Sequence, residues 1–358
     1  MKFMKNMSKT SKNNMITYAM VILAYVILQT WSMSGNMTSL LKGLLVPLCI
    51  YSILAVSLNL TVGVLGELSL GHAGFMCVGA FASAFFTACT KNVITNDMLR
   101  FIIALCLAAI ITGLFGVLIG IPVLRLKGDY LAIVTLAFGE IIKNIINALY
   151  VGLDENGFHF SMKDTMSLNM TENGQVIIKG AQGIIGTQRQ STFTIGIILL
   201  LITLVIVLNL MNSRSGRAIM AIRDNRIAAE SVGIDITKYK IMAFAVSAAL
   251  AGVAGCLYAH NIASLTATPK NFGYNMSIMI LIYVVMGGMA NMRGSIIAAS
   301  LLTVLPEMMR GLSEYRMLIY AIVLIAMMIF NWSPKVKVWR EAHSLKGAFQ
   351  KKNVKEAK

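Results

Sequence analysis

The sequence predicts an all-α polytopic membrane protein with about eight to ten transmembrane helices, some of them short or broken. Three observations carry this expectation. Of the 358 residues, 57% are hydrophobic and only 13% are charged, where soluble domains carry about a quarter. Mean hydropathy is +0.74. Apolar runs of about 17–25 residues, long enough to cross a hydrocarbon layer of about 30 Å, recur along the whole chain.

The basic start "MKFMKNMSKTSKNN" precedes an apolar run from Met15 to Met33. That run is long for a signal peptide, and "QTWSMSGN" offers no small-x-small cleavage site, so an uncleaved first span is expected. Further spans are expected at 43–62, 69–90, 99–124, 130–149, 192–211, 241–261, 275–290, 295–311 and 316–332. The eighth and ninth are short and joined by the tight turn "ANMRG" (Ala290–Gly294), which fits half-helices or a re-entrant pair surrounded by protein. Lys and Arg placement orients the chain. Residues 1–14, Arg125, Lys127, residues 212–240, Arg293 and residues 335–358 hold 21 of the 31 basic residues and are expected in the cytoplasm, as are both termini. The connection 150–191, rich in Gly, Asn and Thr, is expected outside, with weak strand or helix character. One membrane domain covers 1–358, with cytoplasmic tails at 1–14 and 333–358. The second and seventh spans enter from opposite sides, which permits spans 2–5 and 7–10 to be inverted repeats.

Composition also excludes function classes. The net charge of +16 gathers at the termini and polar connections, where it meets anionic lipid, and no aromatic-plus-basic patch for nucleic acid accompanies it. Cys49, Cys77, Cys89, Cys106 and Cys256 lie in or beside apolar runs without metal-ligand spacing, so they read as small buried hydrophobes and no metal site is expected. No Gly-Lys dipeptide occurs, hence no phosphate loop of the form GxxxxGK[ST]. No cofactor is therefore expected on this chain, and any ATP used in transport is hydrolysed by partner subunits. No HExxH, GxSxG or paired carboxylates point to an enzyme.

Polar residues inside the spans supply the candidate sites. In "LNLTVGVLGELSLGHAGFMCVGAFASAFF" (Leu58–Phe86), Gly63, Gly66, Gly71, Gly74 and Gly79 allow close helix packing, and Ala80, Ala84 and Ala88 continue a small-residue stripe. The same glycines fit a helix broken at Leu65–Ser69 beside a solute path, which would draw on Asn59 and Ser69. His72 reads equally as a functional group and as a hydrogen-bonded packing element. In "RLKGDYLAIVTLAFGEIIKNIIN" (Arg125–Asn147), Asp129 is placed to cap a helix starting near Tyr130, and Thr135 and Glu140 are candidate path residues. Glu140, Lys143 and Asn144 share one helical face, which fits either an internal Glu–Lys pair or solute contact.

The segment "SGRAIMAIRDNRIAAESVGID" (Ser215–Asp235) puts Ala218, Ala221, Ile222, Ala229 and Val232 on one side of a helical wheel and Arg223, Arg226 and Glu230 on another. Asn225 interrupts the apolar side, so one helix and two are both open, with Gly233 as the stop. A solvated orienting loop is one reading; an amphipathic docking surface for a partner protein explains the alanine spacing better.

Three blocks together, "LNLTVGVLGELSLGHAGFMCVGAF", "RLKGDYLAIVTLAFGEIIK" and "GRAIMAIRDNRIAAESVGIDITKYKIMAFAVSAALAGVAGCLYAH", resemble the membrane permease subunits of branched-chain amino acid ABC importers, over roughly residues 40–330. The resemblance implies a second permease subunit (a paralogue or the same chain), two cytoplasmic ATPase subunits and an extracytoplasmic solute-binding protein in a bacterial plasma membrane. It also implies a path for a small zwitterion at the permease interface. Relatives in the wider family carry urea, short amides or sugars. Glu230, preceded by Ala228 and Ala229 and followed by Gly233, is similar to the coupling signature of importer permeases in a shortened form. On that resemblance Arg217, Arg223, Asn225, Arg226, Ala228, Ala229, Glu230 and Gly233 are the expected ATPase-coupling residues. Glu67 stands where relatives often carry a neutral Gln, and the 150–191 loop is longer than in many. The rival from another class is an ion-coupled secondary transporter or channel, for which Glu140 is the one carboxylate clearly within a span.

Overall fold

The computed structural model describes residues 9–308, apart from 36, 92, 127, 156, 172 and 173, together with five helical positions between 318 and 329. The expected tenth span (316–332) and the tails 1–8 and 333–358 lie wholly or mostly outside the described residues. The described residues up to Thr303 pack as one compact unit.

The helices follow the apolar runs. They are α1 (Lys9–Met33), α2 (Ser39–Asn59), a π-helical segment (Leu60–Leu65), α3 (His72–Cys89), α4 (Asp97–Val123), α5 (Asp129–Ala148) and α6 (Phe193–Asn212). A polar arm of two short helices follows, α7 (Arg214–Asp224) and α8 (Arg226–Ser231). The chain continues with α9 (Ile236–Ala259), α10 (Pro269–Phe272), α11 (Tyr274–Gly287) and α12 (Met292–Met308). Among the described residues seven helices are long and apolar enough to cross a membrane: α1, α2 with its π extension, α3, α4, α5, α6 and α9. α11 and α12 are shorter, at 14 and 17 residues. Helix α5 begins one residue earlier than expected. Gly128, at φ 58°, takes the cap position assigned to Asp129, because a left-handed turn suits glycine.

The loop expected to have weak character folds into a small sheet. Strands β1 (Tyr150–Asp154), β2 (Gly157–Ser161) and β3 (Gln175–Lys179) pair antiparallel in the order β2-β1-β3. β4 (Ile184–Ile185) pairs with β5 (Ser264–Leu265). Five-residue runs with Val, Ile or Phe and intervening Gly turns are short enough to escape a span-sized window. Asp154 holds the sheet to its loop, accepting from the Thr171 amide at 3.2 Å and pairing with His159 Nε2 at 3.0 Å. At the same end of the bundle, buried Arg100 donates to Asp97, to Gln188 and to the Ile94 carbonyl, so the start of α4 and the loop after β4 are tied together. This end is called the sheet side; the opposite end, where α7 and α8 lie, is the arm side.

The core forms around α9, which runs against α3 and α4. With no hydrophobic force between helices in lipid, close backbone packing does the work. A Cβ on Gly79 would strike the Gly252 backbone, and one on Gly252 would lie 2.7 Å from Thr112 Cβ and 2.8 Å from the Ala108 carbonyl. Across the next interface a Cβ on Gly74 would lie 2.7 Å from Gly139 Cα, which brings α3 onto α5. Phe75 fills the space between, with ring centroids 5.6 Å from Phe138 and 5.4 Å from Phe244. Cys49, Cys77 and Cys256 are buried as expected, whereas Cys89 is half-buried and Cys106 is exposed on the outward face of α4.

This packing predicts that Gly252→Leu lowers the thermal unfolding midpoint in detergent by an amount corresponding to about 1–3 kcal/mol, the usual cost of overpacking. Gly43→Leu, where a Cβ meets nothing within 4 Å, leaves it unchanged. Equal midpoints for the two variants would remove α9 from the centre of the fold.

Candidate functional site

Six residues, 66–71, leave the helical path where α2 with its π extension hands over to α3 on the arm side. After the π segment, Gly66 adopts φ 81° and ψ 14°, and its amide bonds back to the Thr61 carbonyl, the i→i+5 pattern of a π turn. The Glu67 amide also reaches Thr61 O, at 3.2 Å. π turns are rare and concentrate where helices serve a function. Residues 66–71 then run without helical structure to α3. Lipid cannot satisfy the peptide groups this frees, so the surrounding protein must.

The surrounding side chains meet that demand. Thr135 Oγ1 accepts from the Leu70 amide at 3.0 Å, and a Cβ on Gly71 would strike the Thr135 carbonyl. Ser277 Oγ, on α11, accepts from the Ala73 amide at 3.1 Å in the first turn of α3. His72 Nε2 pairs with Ser57 Oγ at 2.7 Å, and Ser247 Oγ donates to the Ser57 carbonyl at 2.6 Å, joining α2, α3 and α9. Glu67 forms an ion pair with buried Lys240 at the base of α9. The Glu67 charge is thus met by a cation of the same chain. Ser69 Oγ is buried and has no hydrogen-bond partner.

Asn59 closes the other side of the break. Its Oδ1 accepts from the Ala290 amide at 2.8 Å and its Nδ2 donates to Ser295 Oγ at 2.7 Å. This places the α11–α12 turn, with Gly288 at φ 92° and Ala290 at φ 62°, against Gly63. Ser69, His72 and Thr135 therefore gather at the break and Asn59 flanks it; His72, Thr135 and Asn59 are buried and engaged by protein.

Glu140 lies elsewhere, further toward the sheet side. It pairs with Lys143 and accepts from the Tyr274 amide at 2.8 Å, at the start of α11. Asn147 Nδ2, two turns on, donates to the Ala267 carbonyl at 2.9 Å. Two faces of α5 therefore hold irregular segments: Thr135 the break before α3, and Glu140 with Asn147 the segment before α11. Of the three polar residues expected to share a face, Lys143 turns inward and Asn144 is exposed, with Glu140 between them.

On the arm side, Asn225 divides the polar segment into two helices: its Oδ1 caps α8 through the Ala228 amide at 3.1 Å. Gly233, at φ 83°, ends the second, with the Ile234 amide bonded to the Ala229 carbonyl. Ile222 and Ala229 of the arm pack with Ile236 at the start of α9 in a small cluster. The kink breaks the continuous wheel, so Val232 leaves the apolar side and is 75% exposed beside Ile227 at 80%. Arg217, Arg223, Arg226, Ala228 and Glu230 are also exposed. Arg223 lies along the π segment, where its Nη1 donates to the Gly63 carbonyl at 3.0 Å. A cavity of about 490 Å³ opens there, lined by Val62, Gly63, Gly66, Leu68, Arg223 and Met289. Among the described residues no group of His, Cys, Asp and Glu is arranged to hold a metal ion.

The reach of Arg223 to Gly63, the Lys240–Glu67 pair and the Arg100 cluster were hidden from sequence reasoning, since each joins or orders segments far apart in the chain. The one signal in reach was the unusual presence of cations at the mouths of apolar runs.

Comparison with known proteins assigns the fold a family. The family described as "Branched-chain amino acid transport system / permease component" matches residues 40–330. Two relatives, each called "High-affinity branched-chain amino acid transport system permease protein LivM", come from Salmonella typhimurium and Escherichia coli K12. Each is 35% identical over 295 residues, covering 80% of this chain and 67% of the relative. A "Probable branched-chain amino acid transport permease protein LivM" from Methanocaldococcus jannaschii is 25% identical over 276 residues, covering 68% of this chain and 74% of the relative. No solved structure matches the chain. The match over most of its length, together with its apolar helices, makes this chain a multi-pass membrane protein of the branched-chain amino acid transport system permease family.

Proposed function

We propose that this chain is the permease subunit of an ATP-driven importer for branched-chain amino acids of the leucine, isoleucine and valine type, seated in a bacterial plasma membrane with both termini in the cytoplasm. It works with a second permease subunit (a paralogue or another copy), two cytoplasmic ATPase subunits and an extracytoplasmic solute-binding protein. The arm side is then cytoplasmic and the sheet side extracytoplasmic, as the charge bias favours.

The observation that carries this reading is the arm. A permease that lacks a phosphate loop must receive the work of ATP hydrolysis mechanically, through a surface a partner can grip. α8 offers Ile227 and Val232 uncovered, with Arg226, Ala228 and Glu230 beside them. Burying a side chain such as Ile227 against a partner contributes about 1.5–3 kcal/mol. The cluster of Ile222, Ala229 and Ile236 ties the arm to the start of α9, so a push on the arm is passed to that helix.

The outward face of α5 supports the placement of the path. Tyr130, Ile133, Ala137, Ile141, Asn144 and Ala148 are all exposed on it. An amide facing lipid within a span, as Asn144 would in the last turns of α5, is costly, so a second permease subunit is the better neighbour for this face. Small Ala137 and Ala148 leave room for a solute between the two subunits. Alternating access then consists of opening this seam to one side and the other, with α5 carrying the motion of both irregular segments it holds.

Three outcomes test the reading. Ile227→Asp is expected to lower recovery of the ATPase subunits with the tagged permease in mild detergent by about tenfold, the effect of losing an interface hot spot. Glu230→Arg is expected to leave the spans folded and depress solute-stimulated ATP hydrolysis; unchanged stimulation would reduce the arm to a topological loop. In proteoliposomes with the cognate binding protein, excess leucine is expected to block uptake while urea and ribose do not, and a block by urea or ribose instead would move the substrate class. Glu140→Gln leaves Lys143 buried without its partner and is expected to lower the unfolding midpoint, with Glu140→Gln/Lys143→Met recovering most of the loss. A Glu140→Gln protein as stable as wild type would show that the pair does not hold α11 to α5.

A further inference from the structure

Sequence reasoning puts Arg223 on the polar side of the arm with Arg226 and Glu230, where it would meet a partner. Its guanidinium, still exposed at one edge, reaches the π segment. Nε and Nη2 donate to Asp224 Oδ1 at 3.0 and 2.9 Å, which fixes the plane of the fork and aims Nη1 at the Gly63 carbonyl, 3.0 Å away. Its aliphatic stem lies on Gly66, where an added Cβ would come 2.6 Å from Arg223 Cγ. The side chain is thus seated against the π segment, across 160 residues of sequence.

The choice of acceptor matters. In an α-helix the Gly63 carbonyl would receive the amide of residue 67, four residues on. Here the Glu67 amide bonds to Thr61 O instead, and the donor at Gly63 O is Arg223. We propose that Arg223 is a positioning residue that sets the hydrogen-bond register of Leu60–Leu65 according to where the arm stands. The proposal rests on the importer reading above and adds the atom through which the arm acts. With the arm seated, Arg223 holds Gly63 O and the π register stands. With the arm withdrawn, Gly63 O is left to the Glu67 amide, which shifts from Thr61 O, and the segment tightens to α register. Interconversion of this kind is accessible because a π turn is a single-residue excursion within an α-helix.

The shift has somewhere to go. Glu67 is tied to Lys240 at the base of α9, and Leu70 to Thr135 on α5. Gly63 and Asn59 abut Ala290 in the α11–α12 turn. Winding the segment therefore pulls on the helices that hold the break and on the turn beside it, and the cavity of about 490 Å³ at Gly63 and Gly66 leaves space for the loop to move.

The test uses the assembled complex in lipid nanodiscs, with wild-type, Arg223→Gln and Arg223→Lys permeases, and follows amide hydrogen exchange over residues 60–71 with and without trapped nucleotide. ATP hydrolysed per solute moved is measured on the same preparations in proteoliposomes. In wild type, trapping is expected to change exchange at 66–71. In Arg223→Gln the nucleotide-trapped pattern is expected without nucleotide, and the ATP-to-solute ratio is expected to rise about tenfold, the change that follows loss of one hydrogen bond to a charged group. Arg223→Lys is expected to recover part of the response, because an ammonium can reach Gly63 O without the orienting contacts to Asp224. If Arg223→Gln does not assemble with its ATPase, Asp224→Asn takes its place and is expected to weaken the exchange response in the same direction. An assembled Arg223→Gln or Asp224→Asn complex with the wild-type response and ratio overturns the inference and leaves the importer intact. A wild-type complex that takes up solute without ATP overturns the importer reading and the inference with it.

Discussion

A peptide group inside a membrane has no water to fall back on, and this requirement organises the molecule. The chain leaves helical structure between Gly66 and Gly71, at the arm-side end of two spans, and several of the amides and carbonyls this frees are met by protein. Thr135 takes the Leu70 amide, Ser277 takes the Ala73 amide and Arg223 gives a donor to the Gly63 carbonyl. These come from α5, α11 and α7, so one irregularity recruits three other elements. Without the break those helices would need only close packing to associate; with it, they are held in register by bonds that have few alternatives.

Two consequences follow for motion. The bonds that satisfy the break are made by elements that pack differently: α9 is clasped by glycine contacts to α3 and α4, while the arm meets only the start of α9 through a small apolar cluster. A rigid centre and a semi-independent arm joined through the break let force enter at one place and leave at another. α5 is the second junction, since it reaches both irregular segments from different faces, one through Thr135 and one through Glu140 and Asn147. A displacement of either segment is therefore felt by the helix whose outer face is offered to a neighbouring subunit.

Much of this was legible in the residues. Apolar runs located every described span within a few positions, because hydrocarbon thickness leaves little freedom in helix length. The glycine series from Gly63 to Gly79 marked both the close contacts and the break. Asn225 and Gly233 marked the two stops of the arm, as a capping side chain and a left-handed residue do. The sheet after α5 was missed because its five-residue strands carry weak alternation. Val232 was misplaced because a helical wheel assumes one axis, and the Asn225 cap supplies two. The reach of Arg223 to Gly63 has no local signature: amphipathic patterning treats every arginine as solvent-facing, and the carbonyl that attracts it is exposed only because another helix is broken.

The central claim is that the arm and the break move as one. Pulsed electron–electron distance measurements on the assembled complex, with spin labels at Ser231 on α8, Leu68 in the break and Ala137 on α5, test it most directly. On nucleotide trapping the Leu68–Ala137 distance is predicted to change in concert with the Ser231–Ala137 distance. A change in Ser231–Ala137 with Leu68–Ala137 fixed would mean that the arm moves alone, and would contradict the account.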